Sequence, residues 1–372
     1  MVEMKVTPWT VEGEIDYKKL IKQFGTAPLT DKLIDEIKKH TGELHLMLRR
    51  KLFFSHRDLD WLLSKYDSGE SFVLYTGRGP SGHTHIGHLV PWIFTKWLQD
   101  KFDAELYFQL TDDEKFLMNR QLSLDDTQKF AQENALDIIA VGFDPKKTKI
   151  FFDTSYAKTL YKIAVRVAKL TTFSTAKAVF GFNNSTNIGM AFFPSMQAAP
   201  CFLPSELAGK KVPVLIPAAI DQDPYWRISR DVAERLGYYK PAQIHSMFLP
   251  GLQGPGSKMS ASKPNTAIFT TDSLDVAEKK VMGAFTGGRG SLKEQREKGG
   301  NPNICTVYQY MYYIFEPSDE KIKQMREDCK AGRVTCGECK QRLAKYVIAF
   351  LKEHQKRRKN AKKNIDKFLV KD

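Results

Sequence analysis

Residues 71–110 are predicted to form a strand, a helix and a second strand, the unit from which parallel sheets are built. Ser71–Thr76 ("SFVLYT") and Ala104–Leu110 ("AELYFQL") are short apolar runs, which is typical of buried strands. Residues 88–101 between them carry apolar side chains at helical spacing. The unit therefore predicts an α/β fold of the doubly wound kind, in which ligands bind at the carboxyl ends of the strands.

The rest of the chain extends this plan and divides it. Apolar runs predict two more strands, at residues 149–152 and 212–216, and helices around 125–141 and 156–170. From about residue 270 helices dominate, at 272–285, 305–315, 319–330 and 337–365. We expect a helical and extended N-terminal part that packs on a sheet domain, a helical domain, and a C-terminal segment that packs back on the sheet, at residues 1–68, 69–265, 266–360 and 361–372.

The charge of the chain is concentrated near its C-terminus. The formal net charge is +14, and residues 340–372 hold twelve Lys and Arg against three acidic residues. A basic face of this density favours a nucleic-acid partner, with a solvated basic tail as the alternative. No apolar run approaches the ~20 residues that a membrane helix needs, and the first residues lack the pattern of a secretory signal. We therefore expect a cytoplasmic protein that does not enter membranes.

The five cysteines do not have the spacing of a disulfide framework. Cys336-Gly-Glu-Cys339 has the spacing of a metal knuckle, and Cys329 and His354 are the nearby candidates for a second pair of ligands. Reduced thiols are the simpler interpretation, and we expect no metal site in the chain.

The loop "YTGRGPSGHTHIGH", residues 75–88, supports two interpretations. From Gly77 to Gly82 it matches the G-x-G-x-x-G turn of nicotinamide enzymes, which needs a helix beginning at the later glycines and an acidic residue about 20 residues on. Pro80 and Ser81 interrupt the motif, and the apolar helical pattern begins only near Ile86. A nicotinamide enzyme therefore remains only the weaker alternative.

The second interpretation rests on His85 and His88, which lie three residues apart on one face of the predicted helix. In the first helical turn, two imidazoles join a helix N-terminus that already favours anions. This arrangement suits a triphosphate. A metal site that also uses His83 is the alternative, but no cysteine or carboxylate adjoins the three histidines.

Residues 251–262, "GLQGPGSKMSAS", form the second candidate phosphate segment. They nearly match a P-loop, but Lys258 falls one place late. A mobile glycine-rich loop with a lysine and hydroxyls can close over phosphates, whereas taken alone the segment is no more than a surface loop. The pair His-Ile-Gly-His and Lys-Met-Ser-Ala-Ser, in that order and about 170 residues apart, is much more specific.

These are the two signature motifs of class I aminoacyl-tRNA synthetases. The strings "YTGRGPSG", "HIGHLVPWIFTKWLQD", "QLTDDEKF", "GFDPKKT", "FPSMQAAP" and "AIDQDPYWRISRDVA" resemble the eukaryotic and archaeal tryptophanyl-tRNA synthetases. The resemblance runs from about Thr7 to the C-terminus. It implies a Rossmann-like parallel-sheet catalytic domain at residues 69–265 and an α-helical anticodon-binding domain at 266–360.

The family's reaction is implied with the fold. L-Tryptophan and ATP would form tryptophanyl-adenylate and pyrophosphate, and the tryptophanyl group would then pass to the 3′-terminal adenosine of tRNA(Trp). Mg²⁺ would accompany ATP without a metal site of the protein's own, and the family forms homodimers. The nucleophilic carboxylate is already ionised at neutral pH, so catalysis depends on positioning and charge stabilisation instead of a general base.

The resemblance also assigns residues. Catalytic roles fall to His85, His88, Lys258 and Ser260. ATP contacts fall to Thr76, Arg78, His85, Gly87, His88, Lys258, Met259 and Ser260, with Gly87 admitting the adenosine to the backbone. Tryptophan contacts fall to Tyr75, Gln109, Glu114, Gln197 and Gln222, the first two on the indole and the others around the ammonium and carboxylate.

The amino-acid pocket distinguishes the remaining alternatives. An indole offers one N–H donor and no acceptor, so a selective pocket buries a neutral acceptor against it. Gln109 and Tyr75, at the ends of two predicted strands, suit that task. A tyrosine–tRNA ligase would need an acid to accept a phenol O–H, and the sequence shows none adjoining these residues. A non-catalytic RNA-binding protein would have no use for His85, His88 and Lys258.

Overall fold

The structure is a computed structural model that describes residues 5–6, 11–12, 15–261 and 263–372. Its strands are β1 (Lys5–Val6), β2 (Val11–Glu12), β3 (Ala27–Pro28), β4 (Phe53–Arg57), β5 (Val73–Arg78), β6 (Leu106–Leu110), β7 (Thr148–Phe152), β8 (Val214–Ala219), β9 (Ala242–Ser246), β10 (Pro250–Gly251) and β11 (Gly254–Lys258).

The helices are α1 (Tyr17–Phe24), α2 (Asp31–Thr41), α3 (Leu46–Arg49), α4 (Leu59–Asp67), α5 (Ile86–Phe102), α6 (Asp112–Met118), α7 (Leu124–Val141), α8 (Ala157–Leu170), α9 (Phe173–Phe180), α10 (Ile188–Ala198), α11 (Leu203–Ala208), α12 (Asp223–Leu236), α13 (Leu274–Met282), α14 (Leu292–Lys298), α15 (Thr306–Tyr310), α16 (Asp319–Lys330) and α17 (Cys336–Ala361). A π-helix, Met311–Phe315, continues α15.

A seven-stranded sheet organises the molecule, in the order β3-β4-β9-β8-β5-β6-β7. The strands from β9 to β7 run parallel, and β3 and β4 add an antiparallel edge. The predicted α/β class and the strand–helix–strand unit are confirmed, with β5, α5 and β6 at the expected places. Since β5 pairs with β6 on one side and β8 on the other, the strand order reverses beside β5, which is where such sheets bind ligands.

The N-terminal part contributes strands that the sequence analysis missed. Residues 1–68 were expected to be helical and extended, but β4 forms hydrogen bonds to β9, and β9 was not predicted either. Both strands bury polar residues, which hide the apolar pattern. Ser55 Oγ lies 3.0 Å from His245 Nδ1 across the pair, so the hydroxyl on β4 finds its partner on the other strand. A contact so distant in sequence leaves no local signal.

Beyond the sheet, the chain is helical and ends on the sheet's edge. The long helix α17 packs against α7 and α13. His354 Nε2 lies 3.0 Å from Asp137 Oδ1, and Arg358 Nε donates to the same oxygen at 3.1 Å. The C-terminal segment pairs with β7, since Ile150 N donates to Phe368 O and Val370 N donates to Ile150 O, at 2.8 and 2.9 Å. In the described part of the chain, no helix is long and apolar enough to cross a membrane.

A buried ion pair joins the edge of the sheet to α12. The carboxylate of Asp223 is fully buried, and it accepts hydrogen bonds from Arg57 Nε at 2.6 Å and Arg227 Nε at 2.9 Å. Burial raises the pKa of Asp223, but the hydrogen bonds and charge of Arg57, together with the charge of Arg227, outweigh it, so the pKa is lowered overall. An aspartate with a lowered pKa stabilises the folded state at pH values above its ordinary pKa. This contribution is lost as the pH falls through the lowered pKa.

We predict that Asp223→Asn lowers the free energy of unfolding at pH 7 by about 3 kcal/mol, because it leaves two partly buried guanidinium groups without their counter-charge. Urea unfolding measures the loss, and the difference from wild type should shrink in acid. Asp231→Asn, an exposed position on the same helix, is the control and should change the stability by less than about 0.5 kcal/mol. Equal losses for the two variants would contradict the prediction.

Candidate active site

A cavity of about 270 Å³ opens at the carboxyl ends of β5 and β8, beside the first turn of α5. Nine residues that the sequence analysis singled out line it, namely Thr76, Arg78, His85, Gly87, His88, Glu114, Gln197, Gln222 and Met259. Tyr75 and Gln109 lie behind its wall and are completely buried. The side chain of Lys258 lies outside the described part of the structure, so its expected grip on the leaving group stays a prediction.

The two histidines occupy the start of α5. His85 is the extended N-cap residue, and the helix begins at Ile86, as the apolar pattern indicated. The imidazoles of His85 and His88 stack with their centroids 3.5 Å apart. His88 Nδ1 accepts a hydrogen bond from His85 N at 3.1 Å, so the proton of a neutral His88 ring lies on Nε2. Two imidazoles at a helix N-terminus can bind a phosphate.

A fixed cation lies near the histidines. Arg78, the last residue of β5, donates from Nε to Asn134 Oδ1 at 3.2 Å, and Asn134 Nδ2 donates to Gly82 O at 3.0 Å. Burial lowers the pKa of Arg78 to about 10, and the carboxylates of Glu114 and Asp137 oppose this shift. The guanidinium therefore stays charged at neutral pH. Asn134 holds both the cation and the loop between β5 and α5.

The glycine-rich stretch before the Lys-Met-Ser-Ala-Ser motif is paired. We expected a mobile glycine-rich loop, and its glycines lie in a hairpin of β10 and β11, with Gly254 at φ +103° where the chain turns. Met259 follows the hairpin and packs against α5. A Cβ at Gly87 would lie 3.0 Å from Met259 Sδ, so Gly87 is already needed for this contact, whereas the sequence suggested only the approach of adenosine. Ser260 N donates to Thr266 Oγ1 at 3.1 Å, and Ser260 does not line the cavity.

A chain of hydrogen bonds forms the inner end of the site. Gln197 Nε2 donates to Tyr75 Oη at 3.0 Å, and Tyr75 Oη donates to Gln109 Oε1 at 2.5 Å. Gln109 Nε2 in turn lies 2.9 and 3.0 Å from the two carboxylate oxygens of Asp153. The chain therefore runs in one direction, from the cavity wall to a buried acid.

Asp153 is a residue that the sequence analysis missed. It expected no acid adjoining Tyr75 and Gln109, but β7 runs beside β6 and ends just before Asp153, which brings this carboxyl group to Gln109. Its position directly after the predicted strand 149–152 was the available signal. Asp153 faces the amide of Gln109 and does not line the cavity, so it is not placed to accept a phenol O–H from a ligand there.

The partly buried Asp113 and the buried Asp153 interact with each other. Burial raises the pKa of Asp113 to about 6 and that of Asp153 well above the ordinary value. The negative charge of neighbouring carboxylates, such as Asp112, raises both pKa values further. A hydrogen bond joins the two side chains. Burial of this pair therefore favours one shared proton over two full negative charges.

Glu114 has the opposite character. Burial raises its pKa, but the charge of Lys115 and hydrogen bonds from Lys115, Tyr225 and Thr111 lower it further than burial raises it. Tyr225 Oη and Thr111 Oγ1 each donate to the carboxylate at 2.8 Å. A Cβ on Gly79 would lie 2.9 Å from Glu114 Oε2, so the glycine allows the acid to approach β5. Glu114 is thus an ionised carboxylate in the cavity wall, suited to a substrate ammonium group.

The wall between Glu114 and the hairpin contains residues that the sequence analysis did not single out. Gln222 was predicted and lines the cavity, and its neighbour Asp221 lines it as well. Tyr225 and Trp226, from the first turn of α12, complete this side. Their place in the string "AIDQDPYW" was the signal available for them.

The cysteines gather elsewhere. Cys305, Cys329, Cys336 and Cys339 line one small cavity between α15, α16 and α17. His354, named above as a candidate ligand, is instead engaged by Asp137. Among the residues that the structure describes, no group of three or more His, Cys, Asp or Glu side chains is arranged to hold a metal ion.

The site thus has two chemically distinct ends. His85, His88 and the N-terminus of α5 form an end that favours phosphate, with Arg78 beside them. Glu114 and the chain through Gln197 form an end that suits an ammonium group and a polar N–H. A molecule with both features could be held with its carboxylate next to a bound nucleotide.

Comparison with known proteins identifies close relatives. The family model described as tRNA synthetases class I (W and Y) matches residues 67–352. A tryptophan–tRNA ligase of Thermococcus kodakarensis is 57% identical over 370 residues, covering 99% of this chain and 94% of the relative, and one of Pyrobaculum aerophilum is 50% identical over 368 residues, covering 99% and 98%.

Solved structures agree with these relatives. The tryptophanyl-tRNA synthetase of Giardia lamblia superposes with a TM-score of 0.89 at 39% identity, covering 95% of this chain and 96% of that one. The tryptophan-bound tryptophanyl-tRNA synthetase of Encephalitozoon cuniculi superposes with a TM-score of 0.88 at 37% identity, covering 97% and 99%.

The acid pair generates a prediction about pH. Because the pKa of Asp113 is raised in the folded chain, its contribution to stability is present at low pH and is lost as the pH rises from about 4 to about 6. Asp113→Asn should therefore unfold at higher urea concentration than wild type at pH 7.5, and the advantage should vanish at pH 4. Asp231→Asn is the exposed control. A loss of stability in Asp113→Asn at pH 7.5 would refute the prediction.

Proposed function

The chain belongs to the class I tRNA synthetases of the tryptophan and tyrosine type, and on that premise we propose how its site joins tryptophan to tRNA. It is a tryptophan–tRNA ligase by its relatives, which are 50–57% identical over nearly their whole length. The tyrosine alternative has no such support. One observation carries the proposal. A single cavity has His85 and His88 at a helix N-terminus on one side, and the ionised Glu114 with the buried amide of Gln197 on the other.

In the first step, the tryptophan carboxylate attacks the α-phosphorus of ATP. The new bond joins a carboxylate oxygen to phosphorus, the bond to the β-phosphate oxygen breaks, and pyrophosphate leaves. His85 and His88 bind the phosphates and stabilise the charge that builds up there, and Arg78 and Thr76 line the same mouth. Lys258 and Ser260 hold the departing pyrophosphate, and Met259 and Gly87 contact the nucleotide.

Mg²⁺ accompanies the nucleotide in this proposal and shields its phosphate charge. An ion of this kind arrives with the nucleotide and keeps several of its waters, so it needs no dedicated set of protein ligands. The chain's own residues bind and orient the reactants.

The indole binds at the inner end of the cavity. The Oε1 atom of Gln109 accepts one hydrogen bond from Tyr75, and its second lone pair remains for the indole N–H. Glu114 binds the substrate ammonium group, and Gln197 and Gln222 bind around the ammonium and carboxylate. A ligand without the N–H would leave a buried acceptor unpaired, which costs far more than the loss of one apolar contact.

In the second step, a ribose hydroxyl of the 3′-terminal adenosine of tRNA(Trp) attacks the mixed anhydride, and AMP leaves. The helical domain at residues 266–360 supplies the anticodon contacts. The exposed lysines of α17 support this assignment, because they form a basic face that can bind the phosphate backbone. We place this reaction in the cytoplasm, in protein synthesis.

We further propose that the chain acts as a homodimer. Phe116, Met118, Tyr161 and Ile188 form an exposed apolar face on α6, α8 and α10, and Ile188 is 88% exposed. These helices contact one another, so the four side chains lie on neighbouring elements. An apolar face of this kind is typical of a subunit interface.

The activity is tested by ATP–pyrophosphate exchange with tryptophan, tyrosine and phenylalanine. We expect exchange with tryptophan alone. His88→Ala should lower the rate by about 10²- to 10³-fold, since it removes a donor at the phosphates. Gln109→Ala should lower kcat/KM for tryptophan at least about tenfold.

Asp231→Asn serves as the folded control for both variants. Exchange with tyrosine in place of tryptophan would preserve the phosphate site and overturn the indole assignment. Full activity of His88→Ala would overturn the role of the histidines.

The dimer is tested by light scattering after size exclusion. Wild type should have the mass of two chains, and Ile188→Glu should have the mass of one, because the charge cannot be buried unpaired. Leu292→Glu, at an exposed apolar residue on α14, should remain dimeric. A monomeric wild type, or an Ile188→Glu variant that stays dimeric, would reject this face as the interface.

A further inference from the structure

The amide of Gln109 has two ends of nearly the same shape and opposite function. Oε1 accepts hydrogen bonds and the Nε2 group donates them. Turned one way, the side chain can accept the N–H of an indole, and turned the other way it presents a second donor to that N–H. Selection of tryptophan through Gln109 therefore requires something that fixes the orientation of the amide.

Asp153 lies where it can do this. Both of its carboxyl oxygens lie within 3.0 Å of Gln109 Nε2, and the pair is completely enclosed by protein. A carboxyl group in this position accepts hydrogen bonds from the amide, so Nε2 is held toward Asp153 and Oε1 is held toward Tyr75. Asp153 also shares a hydrogen bond with Asp113, and burial raises the pKa of Asp153. A proton held in that hydrogen bond leaves the lone pairs of Asp153 that face Gln109 as acceptors.

The hydroxyl of Tyr75 does not fix the orientation by itself. A phenol oxygen both donates and accepts, so it would match either end of the amide. Gln197 Nε2 donates to this oxygen, but Gln197 is itself an amide that can turn. Asp153 ends the chain that runs from Gln197 through Tyr75 to Gln109. Its carboxyl group has no N–H group to present to Gln109, so it favours one orientation of that amide.

We propose that Asp153 is a positioning residue for the selection of tryptophan, which acts by holding Gln109 with its oxygen toward the indole N–H. The inference rests on the proposed binding of the indole at Gln109. Asp153 touches neither the substrate nor the reacting atoms. Its removal should therefore weaken recognition of the N–H and leave the binding of the rest of the ring unchanged.

A matched control lies in the same acidic cluster. Asp112 is also completely buried, and it accepts hydrogen bonds from Thr154 N at 3.1 Å and from Thr154 Oγ1. Both of these hydrogen bonds come from Thr154, whereas those of Asp153 come from Gln109. A substitution there removes a buried acid at similar cost to packing without releasing the amide.

The experiment compares tryptophan with β-(3-benzothienyl)alanine, in which sulfur replaces the indole N–H in a ring of nearly the same shape. The measured quantity is the ratio of the two kcat/KM values in ATP–pyrophosphate exchange. This ratio does not depend on the fraction of enzyme that is folded. Wild type, Asp153→Leu, Asp153→Asn and Asp112→Leu are compared.

Wild type should prefer tryptophan by about 10- to 100-fold, the value of one well-formed buried hydrogen bond. In Asp153→Leu the preference should fall to within about threefold of unity, mainly through KM for tryptophan. Asp153→Asn should keep most of the preference, because its Oδ1 can still accept from Gln109 while its amide donates to Asp113. Asp112→Leu should keep the wild-type ratio.

A wild-type ratio in Asp153→Leu would overturn the inference, and so would an equal loss in Asp112→Leu, since that would indicate general damage to the cluster. If Asp153→Leu does not fold, Asp153→Ala provides the same comparison with a smaller change. If wild type itself activates tryptophan without preferring it to the sulfur analogue, the assignment of the indole to Gln109 fails first. That failure is distinct from the failure of Asp153.

Discussion

The parallel pairing of β5 between β6 and β8 is the constraint on which the site depends. Because neighbouring parallel strands end at the same edge of a sheet, this pairing brings Arg78 and Gln109 to one place from separate parts of the chain. The loop after β5 then leads directly into α5 and sets the two histidines at the helix N-terminus. The phosphate end and the amino-acid end of the cavity are therefore fixed by one set of backbone hydrogen bonds.

Two acids that are close in sequence differ in the direction of their net pKa shift. Glu114 is surrounded by donors and a lysine, so it stays ionised within the protein. Asp113, one residue earlier, is partly buried beside Asp153, and its pKa is raised. The difference arises from the partners of each carboxyl group, since burial raises the pKa in both cases. The proposed site thereby has an ionised acid for an ammonium group and, in Gln109, a neutral acceptor for the indole N–H.

The sequence predicted those parts of the structure that have a local cause. Helix α5 could be placed from its apolar spacing, and the strands on either side from their apolar runs. The strand β4 could not, because its polar residues are satisfied by β9, almost 200 residues away. Asp153 was missed for a similar reason, since only the pairing of β6 with β7 shows which side chain it faces. The hairpin of β10 and β11 was taken for an open loop because its glycines are as common in loops as in tight turns.

The attachment of α17 also bears on how a tRNA is chosen. His354 and Arg358 both bond to Asp137, a buried residue of α7, so the basic helix is held against the sheet domain at a buried point rather than at a flexible joint. A helix of 26 residues is about 39 Å long, and such a rod keeps its direction over that length. The helix therefore holds its far end at a fixed distance from the sheet domain. With the proposed anticodon contacts on the helical domain, a tRNA whose anticodon and acceptor end are separated by the wrong span would fail to reach both contact points, whatever its bases.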